Sequence, residues 1–248
     1  MRTIELGEGL YLFMFDPAEG GIEGVNILAL VDGGEALFLD TGYAHLMKPA
    51  LAFVESLGAR PVGAIISHFH DDHAGGIPLL GGVPTWGSET YAASLDHCFP
   101  VGERAALAPK HLVRRPETVT LGRHRIEIFP LPGHSLDSLG AIIDSRVLYA
   151  ADTLLCTNEG EPILPSVHAR PVSLHAESLR KLRSYLDLRF VPGHGAPIDD
   201  RGARERDIEN RLAYVEAIAA SPGIGLDEAQ KGCDVKFLGS EWHEENYR

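Results

Sequence analysis

Four apolar segments of this chain run directly into a histidine or an aspartate, and this arrangement constrains the fold more than any other feature. The four segments lead into His68, His134, Asp152 and His194, and two of them finish with the same tripeptide, Pro-Gly-His. Short apolar runs bounded by turn residues are typical of buried strands. Polar side chains that several strand ends deliver to one rim form a rigid site. The sequence therefore predicts a layered fold with one polar edge.

The densest polar segment begins at Ser67 and reads Ser-His-Phe-His-Asp-Asp-His. In extended backbone, residues two apart project to the same side. We therefore expect His68, His70 and Asp72 to converge, and a turn at the strand end to return His73 to them. Imidazole and carboxylate together suit Zn, Fe, Mn or Ni better than Ca or Mg alone. An isolated His-x-His pair is more often a surface feature, but the three other strand ends favour a metal site.

Hydrophobic periodicity predicts mixed α and β structure along the rest of the chain. Strands are predicted at residues 11–15, 25–31, 36–39, 63–67, 125–129, 139–143, 147–150 and 190–191. Helices are predicted at residues 47–57, 88–97, 173–186 and 207–220. This order favours α+β layers over a Rossmann alternation. No linker or repeat interrupts the sequence, so we expect one domain over residues 1–248.

Composition excludes several classes of partner and site. The chain carries 22 Lys and Arg against 35 Asp and Glu, a formal charge of -13, which repels phosphate backbones and disfavours nucleic acid as a partner. The longest apolar runs are far shorter than the ~20 residues of a membrane span. The three cysteines show no Cys-x-x-Cys spacing, which indicates a cytoplasmic protein with reduced thiols. None of these features indicates the oligomeric state.

The combined motif resembles the metallo-β-lactamase superfamily: His-x-His-x-Asp-His, a distant His, a strand-terminal Asp and a last His in Pro-Gly-His-Gly. The resemblance covers the chain from the first strands to about residue 198. It implies an α+β fold, the four-layer αβ/βα sandwich, with a dinuclear site at one edge. By motif position it implies one metal held by His68, His70 and His134, a second held by Asp72, His73 and His194, and Asp152 as the bridge. Zinc is the preferred ion, with iron and manganese as alternatives.

The metals imply a hydrolytic mechanism. Two divalent ions roughly 3.5 to 4 Å apart can share a water and lower its pKa toward ~7, which makes a bridging hydroxide available for attack on an acyl or phosphoryl centre. Asp72 is the best-placed catalytic residue for proton relay. Asp40 also matches a family position, and we expect it to accept a hydrogen bond from a ligand imidazole. His168, in a Pro-rich loop, is predicted to contact a small-molecule substrate. Cys156 is expected to be buried rather than a ligand.

Departures from subfamily patterns narrow the activity. Asp152 stands where class B1 β-lactamases use cysteine, which disfavours antibiotic hydrolysis. Leu155 stands where quorum-signal lactonases place a tyrosine, and the Gly-Cys-Gly-Arg-type loop of glyoxalase II and the persulfide dioxygenases is absent after Asp152. These departures leave hydrolysis of a small ester, thioester, lactone or amide. The alternatives are an iron-dependent oxidoreductase of the same fold and a metal-binding protein without activity.

Overall fold

The computed structural model describes residues 1–247, in which two β-sheets face each other and helices cover their outer sides. The first sheet keeps the order of the chain: β1 (Arg2–Gly7), β2 (Leu10–Met14), β3 (Asn26–Asp32), β4 (Glu35–Leu39), β5 (Arg60–Ile65), β6 (Thr85–Ser88) and β7 (His111–Val113). Its first four strands pair antiparallel, and β4 to β7 pair parallel.

The second sheet has the order β12-β11-β10-β9-β8. Its strands are β8 (Glu117–Leu121), β9 (His124–Pro130), β10 (Leu139–Ile143), β11 (Val147–Leu155) and β12 (Arg189–His194). β8 to β11 pair antiparallel, whereas β11 and β12 pair parallel. The parallel pairing brings the carboxyl ends of β11 and β12 to the same edge.

The helices of the described chain are α1 (Ala44–Ser56), α2 (Asp71–Ala74), α3 (Ala92–Cys98), α4 (Val101–Leu107), α5 (Ser173–Leu182), α6 (Arg201–Ala220) and α7 (Leu226–Ala229). Short 3-10 turns lie after α2, after α5 and after α7, at Ile77–Leu80, Arg183–Tyr185, Ser240–His243 and Glu245–Tyr247. Within residues 1–247, no helix has the length and apolar character needed to cross a membrane.

Three apolar cores hold these elements in layers. Leu12 and Leu39 of the first sheet pack between the sheets with Ile126 and Tyr149 of the second. A second core joins α1 to the outer face of the first sheet, and a third joins α5 and α6 to the outer face of the second. Each fully buried large apolar side chain contributes roughly 1.5 to 3 kcal/mol. The predicted four-layer αβ/βα sandwich is confirmed.

Five of the twelve predicted elements lie within two residues of the observed ones at both ends, and the larger differences in the helices have physical causes. The last long helix begins at Arg201 rather than 207, because Asp200 caps it by accepting a hydrogen bond from the Ala203 amide at 2.8 Å. Its first turns carry no apolar stripe, since the buried positions there include Arg204. The expected 173–186 helix ends at Leu182 and continues as a 3-10 turn.

The first strand and the segment from β6 to β8 were predicted less well. The expected helix at 88–97 is wrong at its start, because Ser88 ends β6 and the helix runs from Ala92 to Cys98. β1, β6, β7 and β8 were not predicted. β7 spans only three residues and β8 alternates exposed and partly buried positions, so neither carries a long apolar run.

Candidate metal centre

All seven predicted ligand residues meet at the edge where β5, β9, β11 and β12 end. His68 and His70 lie in the loop after β5, while Asp72 and His73 lie in α2. The expectation that Asp72 projects with His68 and His70 by strand alternation is therefore wrong, because the backbone turns helical at Asp71. The helical turn instead presents Asp72 beside His73 and toward His194.

The repeated Pro-Gly-His sequence has a steric reason at both positions. A Cβ atom at Gly193 would lie 2.0 Å from Asp152 Oδ1, and one at Gly133 would lie 2.5 Å from the Cα of His175. Both distances are far below van der Waals contact. Glycine therefore lets the chain pass close to Asp152 just before His194, and close to His175 just before His134.

The ligand atoms form three overlapping groups, in each of which they lie within 4.8 Å of one another. The groups are His68, His70 and His134; His68, His73 and Asp152; and Asp72, His73 and His194. Asp152 lies between the first and third groups. Its Oδ2 is 3.5 Å from His134 Nε2 and 3.2 Å from His194 Nε2. The geometry can therefore hold two cations with one carboxylate between them.

Hydrogen bonds set the tautomer of the ligand imidazoles. Nδ1 of His134 donates to the Ser166 carbonyl at 3.0 Å, and Nδ1 of His194 donates to the Gly24 carbonyl at 2.8 Å. Nδ1 of His73 donates to Asp40 Oδ2 at 2.7 Å. In the neutral ring each of these bonds leaves Nε2 with a bare lone pair, which is the form that binds a metal.

The same argument applies to His68 through Ser67. The Ser67 hydroxyl donates its proton to Asp40 Oδ2 at 2.6 Å, so it accepts from Nδ1 of His68 at 3.0 Å. His68 Nε2 then faces His70 Nδ1 at 3.1 Å, and His134 Nε2 faces the same nitrogen at 3.1 Å. A proton on His70 Nδ1 can point directly at only one of these two lone pairs, whereas a cation among the three nitrogens is shared by all of them. The residues therefore fit divalent metal ions.

Asp40 lies beneath this centre as a fully buried acceptor. It accepts from the Ser67 amide at 2.6 Å, from the Tyr149 hydroxyl at 2.5 Å, and from Ser67 Oγ and His73 Nδ1. Its backbone adopts a φ of 58°, a left-handed conformation that Asp tolerates better than most residues. Asp40 thus orients His73 directly and His68 through Ser67. The sequence analysis did not predict that Tyr149 and Ser67 would contact Asp40.

Burial and charge divide the histidines into two sets. Burial lowers the pKa of His68 and His134 well below its ordinary range and that of His70 to about 4. Burial also opposes charge on His73 and His194, but Asp152 and Asp72 outweigh it and raise the pKa of both rings. Cations that bind to His73 and His194 must therefore displace protons from these two rings.

Two cavities adjoin the centre and share His70, Asp72 and His168. The smaller, of about 280 Å³, lies over the ligands and is also lined by Glu23, Tyr43, Trp242 and Glu245. The larger, of about 500 Å³, is walled by α3 and includes Ala93, His97 and Leu136. Asp137 fixes α3 to the histidine loop, since it accepts from Ser94 Oγ at 2.5 Å and from the Phe69 amide at 2.9 Å.

The structure also locates His168 and Cys156, together with two cavity residues from the C-terminal turns. His168 faces both cavities, and its ring centroid is 5.2 Å from that of His134. Cys156 is buried against the carbonyls of Ala196 and His194, and burial raises its pKa to about 12, so it is an inert thiol. Trp242 and Glu245 reach the cavity from the C-terminal turns, and no local sequence signal marked them.

Comparison with known proteins agrees with this architecture. The sequence profile of the metallo-beta-lactamase superfamily matches residues 20–194, which include all seven ligand positions. The chain belongs to the metallo-beta-lactamase superfamily. One solved structure, the metallo-beta-lactamase from Pontibacter korlensis, superimposes with a TM-score of 0.69 at 17% identity over 87% of this chain and 98% of its own. At that identity the similarity shows the fold alone.

Curated superfamily relatives match a shorter stretch. Hydroxyacylglutathione hydrolase of Xanthomonas campestris pv. campestris is 31% identical over 129 residues, which are 52% of this chain and 46% of that protein. Beta-lactamase-like protein 2 homolog of Caenorhabditis elegans is 26% identical over 208 residues, 79% of this chain and 65% of its own. The chain thus spans about half the length of the hydroxyacylglutathione hydrolases it matches.

Proposed function

We propose that this chain is a metal-dependent hydrolase that binds two divalent cations and cleaves a small ester, thioester, lactone or amide. The observation that carries the proposal is the convergence of four imidazoles, whose Nδ1 atoms are already hydrogen-bonded, on a carboxylate, Asp152, that lies between two ligand groups. Relatives named hydroxyacylglutathione hydrolase support an acyl substrate.

In this proposal His68, His70 and His134 would hold one cation, Asp72, His73 and His194 would hold the other, and Asp152, which lies between the two groups, would be available to both. When bound, the cations supply a hydroxide at neutral pH and polarise the acyl oxygen. Asp72 is the more exposed of the two carboxylate ligands, with 18% of its side chain exposed against 5% for Asp152. It is therefore the carboxylate that can exchange a proton with a bound substrate.

Removal of the cations is expected to destabilise the fold. Ligands that bind only the native state stabilise it by about 4 kcal/mol at a thousandfold excess over Kd, which corresponds to a Tm decrease of roughly 10 °C on chelation for a chain of this size. Thermal unfolding before and after chelation, with metal content verified by elemental analysis, measures the effect. An unchanged Tm in verified metal-free protein contradicts structural coupling of the site.

The activity itself is tested with zinc-, manganese- and iron-loaded protein on a panel of esters, thioesters, lactones and amides. We expect hydrolysis of at least one acyl class that stops on chelation and returns with added metal. Oxygen uptake with a persulfide substrate by the iron form, without hydrolysis by any form, would assign the oxidoreductase alternative instead. Failure of the wild-type chain to bind zinc, iron or manganese would remove the basis of both.

A further inference from the structure

The cleft beside the metal centre lacks strongly basic side chains. Among residues 1–247, no lysine or arginine lines either cavity. Carboxylate and phosphate groups of ligands are ordinarily held by arginine or lysine, often through paired hydrogen bonds. The cleft therefore offers nothing of this kind to an anionic substrate beyond the metal centre itself.

Acidic side chains, in contrast, line the smaller cavity around the ligands. Glu23 and Glu245 border it together with Asp72 and Asp152. The charges that act on Glu23 are those of metal-centre residues, with no lysine or arginine among them. Glu245 interacts electrostatically with His168, and no salt bridge to lysine or arginine is formed by either glutamate within residues 1–247.

Bound cations do not reverse this excess of negative charge. Two divalent ions carry four positive charges, whereas five carboxylates lie at the centre and its cavity: Asp40, Asp72, Asp152, Glu23 and Glu245. A bound hydroxide adds one more negative charge. A positively charged group that enters the cavity is therefore attracted even when both metal sites are filled.

The two glutamates are held in place rather than carried on free loops. Asn246, which is buried, donates to the Pro165 carbonyl at 2.8 Å and accepts from the Val167 amide at 2.7 Å. These bonds fix the last turn, and with it Glu245, against the loop that carries His168. Glu23 precedes Gly24, whose carbonyl accepts from His194.

Aromatic side chains complete the cavity. Tyr43 and Trp242 line it together with the two glutamates. Aromatic faces attract organic cations through their quadrupole, most strongly where the cation is desolvated. The larger cavity differs, since Ala93 and Leu136 give it apolar surface. The cleft thus has one half suited to a cation and one half suited to an uncharged chain.

Building on the proposed hydrolase function, we propose that the substrate is an acyl compound that bears a positively charged amine, and that Glu23 and Glu245 bind the amine. The acyl carbon lies at the metal centre, and its chain extends toward Leu136. Hydrolysis breaks the bond between the acyl carbon and its leaving oxygen, sulfur or nitrogen, adds hydroxide to the carbon, and returns a proton to the leaving atom.

The test compares two esters of equal shape on zinc-loaded full-length protein. Butyrylcholine carries a quaternary nitrogen, and 3,3-dimethylbutyl butyrate carries carbon at the same position. We expect kcat/KM to be about 30-fold higher for the choline ester. Glu245→Gln should reduce this preference about tenfold through KM, with kcat retained. Glu241→Gln, an exposed change in the neighbouring turn, should leave the preference intact.

A binding measurement separates this inference from the hydrolase proposal. In a Trp86→Phe background, choline should quench the fluorescence of Trp242, and Glu245→Gln should weaken that response. Equal hydrolysis of the two esters would overturn the cation site while supporting the hydrolase. Hydrolysis of neither ester, nor of any other acyl compound, would overturn the hydrolase, and choline quenching would then decide the cation site alone: a saturable response lost in Glu245→Gln supports it, and no response refutes it.

Discussion

Changing Asp72 to Asn is expected to lower kcat by ~100-fold or more while the fold is retained. Asp72 Oδ2 lies 3.3 Å from His194 Nε2 and 3.5 Å from His73 Nε2, and the side chain borders both cavities. Asparagine keeps the shape but loses the negative charge and the ability to take up a proton. Steady-state kinetics at saturating zinc, with metal content and Tm measured on the same samples, give the result.

Asp71→Asn is the matched control, because it removes an equal charge from the adjacent residue of the same short helix. The Asp71 side chain is not among the atoms that converge on the metal centre. We expect kcat to change only a few-fold in this variant. Equal losses in the two variants would indicate a general charge effect, and a fully active Asp72→Asn protein would exclude Asp72 as the proton-relay residue.

Asp40→Asn is expected to destabilise the fold by about 3 kcal/mol and to raise the Kd for metal by roughly 10- to 100-fold. Asp40 is completely buried and accepts from four donors supplied by Ser67, His73 and Tyr149. An amide must direct N–H groups at some of these donors. Asparagine also tolerates the left-handed backbone of this position, so the loss reports the hydrogen bonds and charge rather than backbone strain.

Tyr149→Phe provides the comparison for Asp40. It removes one donor to Asp40 Oδ2 but leaves the bonds to Ser67 and His73 in place. We expect a smaller destabilisation of about 1 kcal/mol and an unchanged Kd for metal. Denaturant unfolding and competitive metal titration measure both quantities. Wild-type metal affinity in Asp40→Asn would show that orientation of His73 does not depend on the carboxylate.

The sequence by itself determined the layered fold class and the residues at the rim. Apolar runs that lead into His134, Asp152 and His194 are local patterns, and they predict strands without reference to distant residues. His194 is the last residue of β12, whereas His134 follows the end of β9 and Asp152 lies within β11. The repeated Pro-Gly-His is a local pattern, but the contacts that require glycine are tertiary, since Gly193 lies against Asp152 and Gly133 against His175. The alternation expected of a strand did not predict the direction of the Asp72 side chain, because α2 begins at Asp71.

Only the tertiary structure decided which residues surround that rim. Tyr149 meets Asp40 across 109 positions of the chain, and Asn246 meets Val167 across 79. These contacts arise from the packing of one sheet on the other and from docking of the C-terminal turns on the loop after β11. No local periodicity encodes such pairings, because each depends on where the layers place elements that are far apart in the chain. For that reason the cleft, with Glu23 and Glu245 in its lining, is defined only by the tertiary structure.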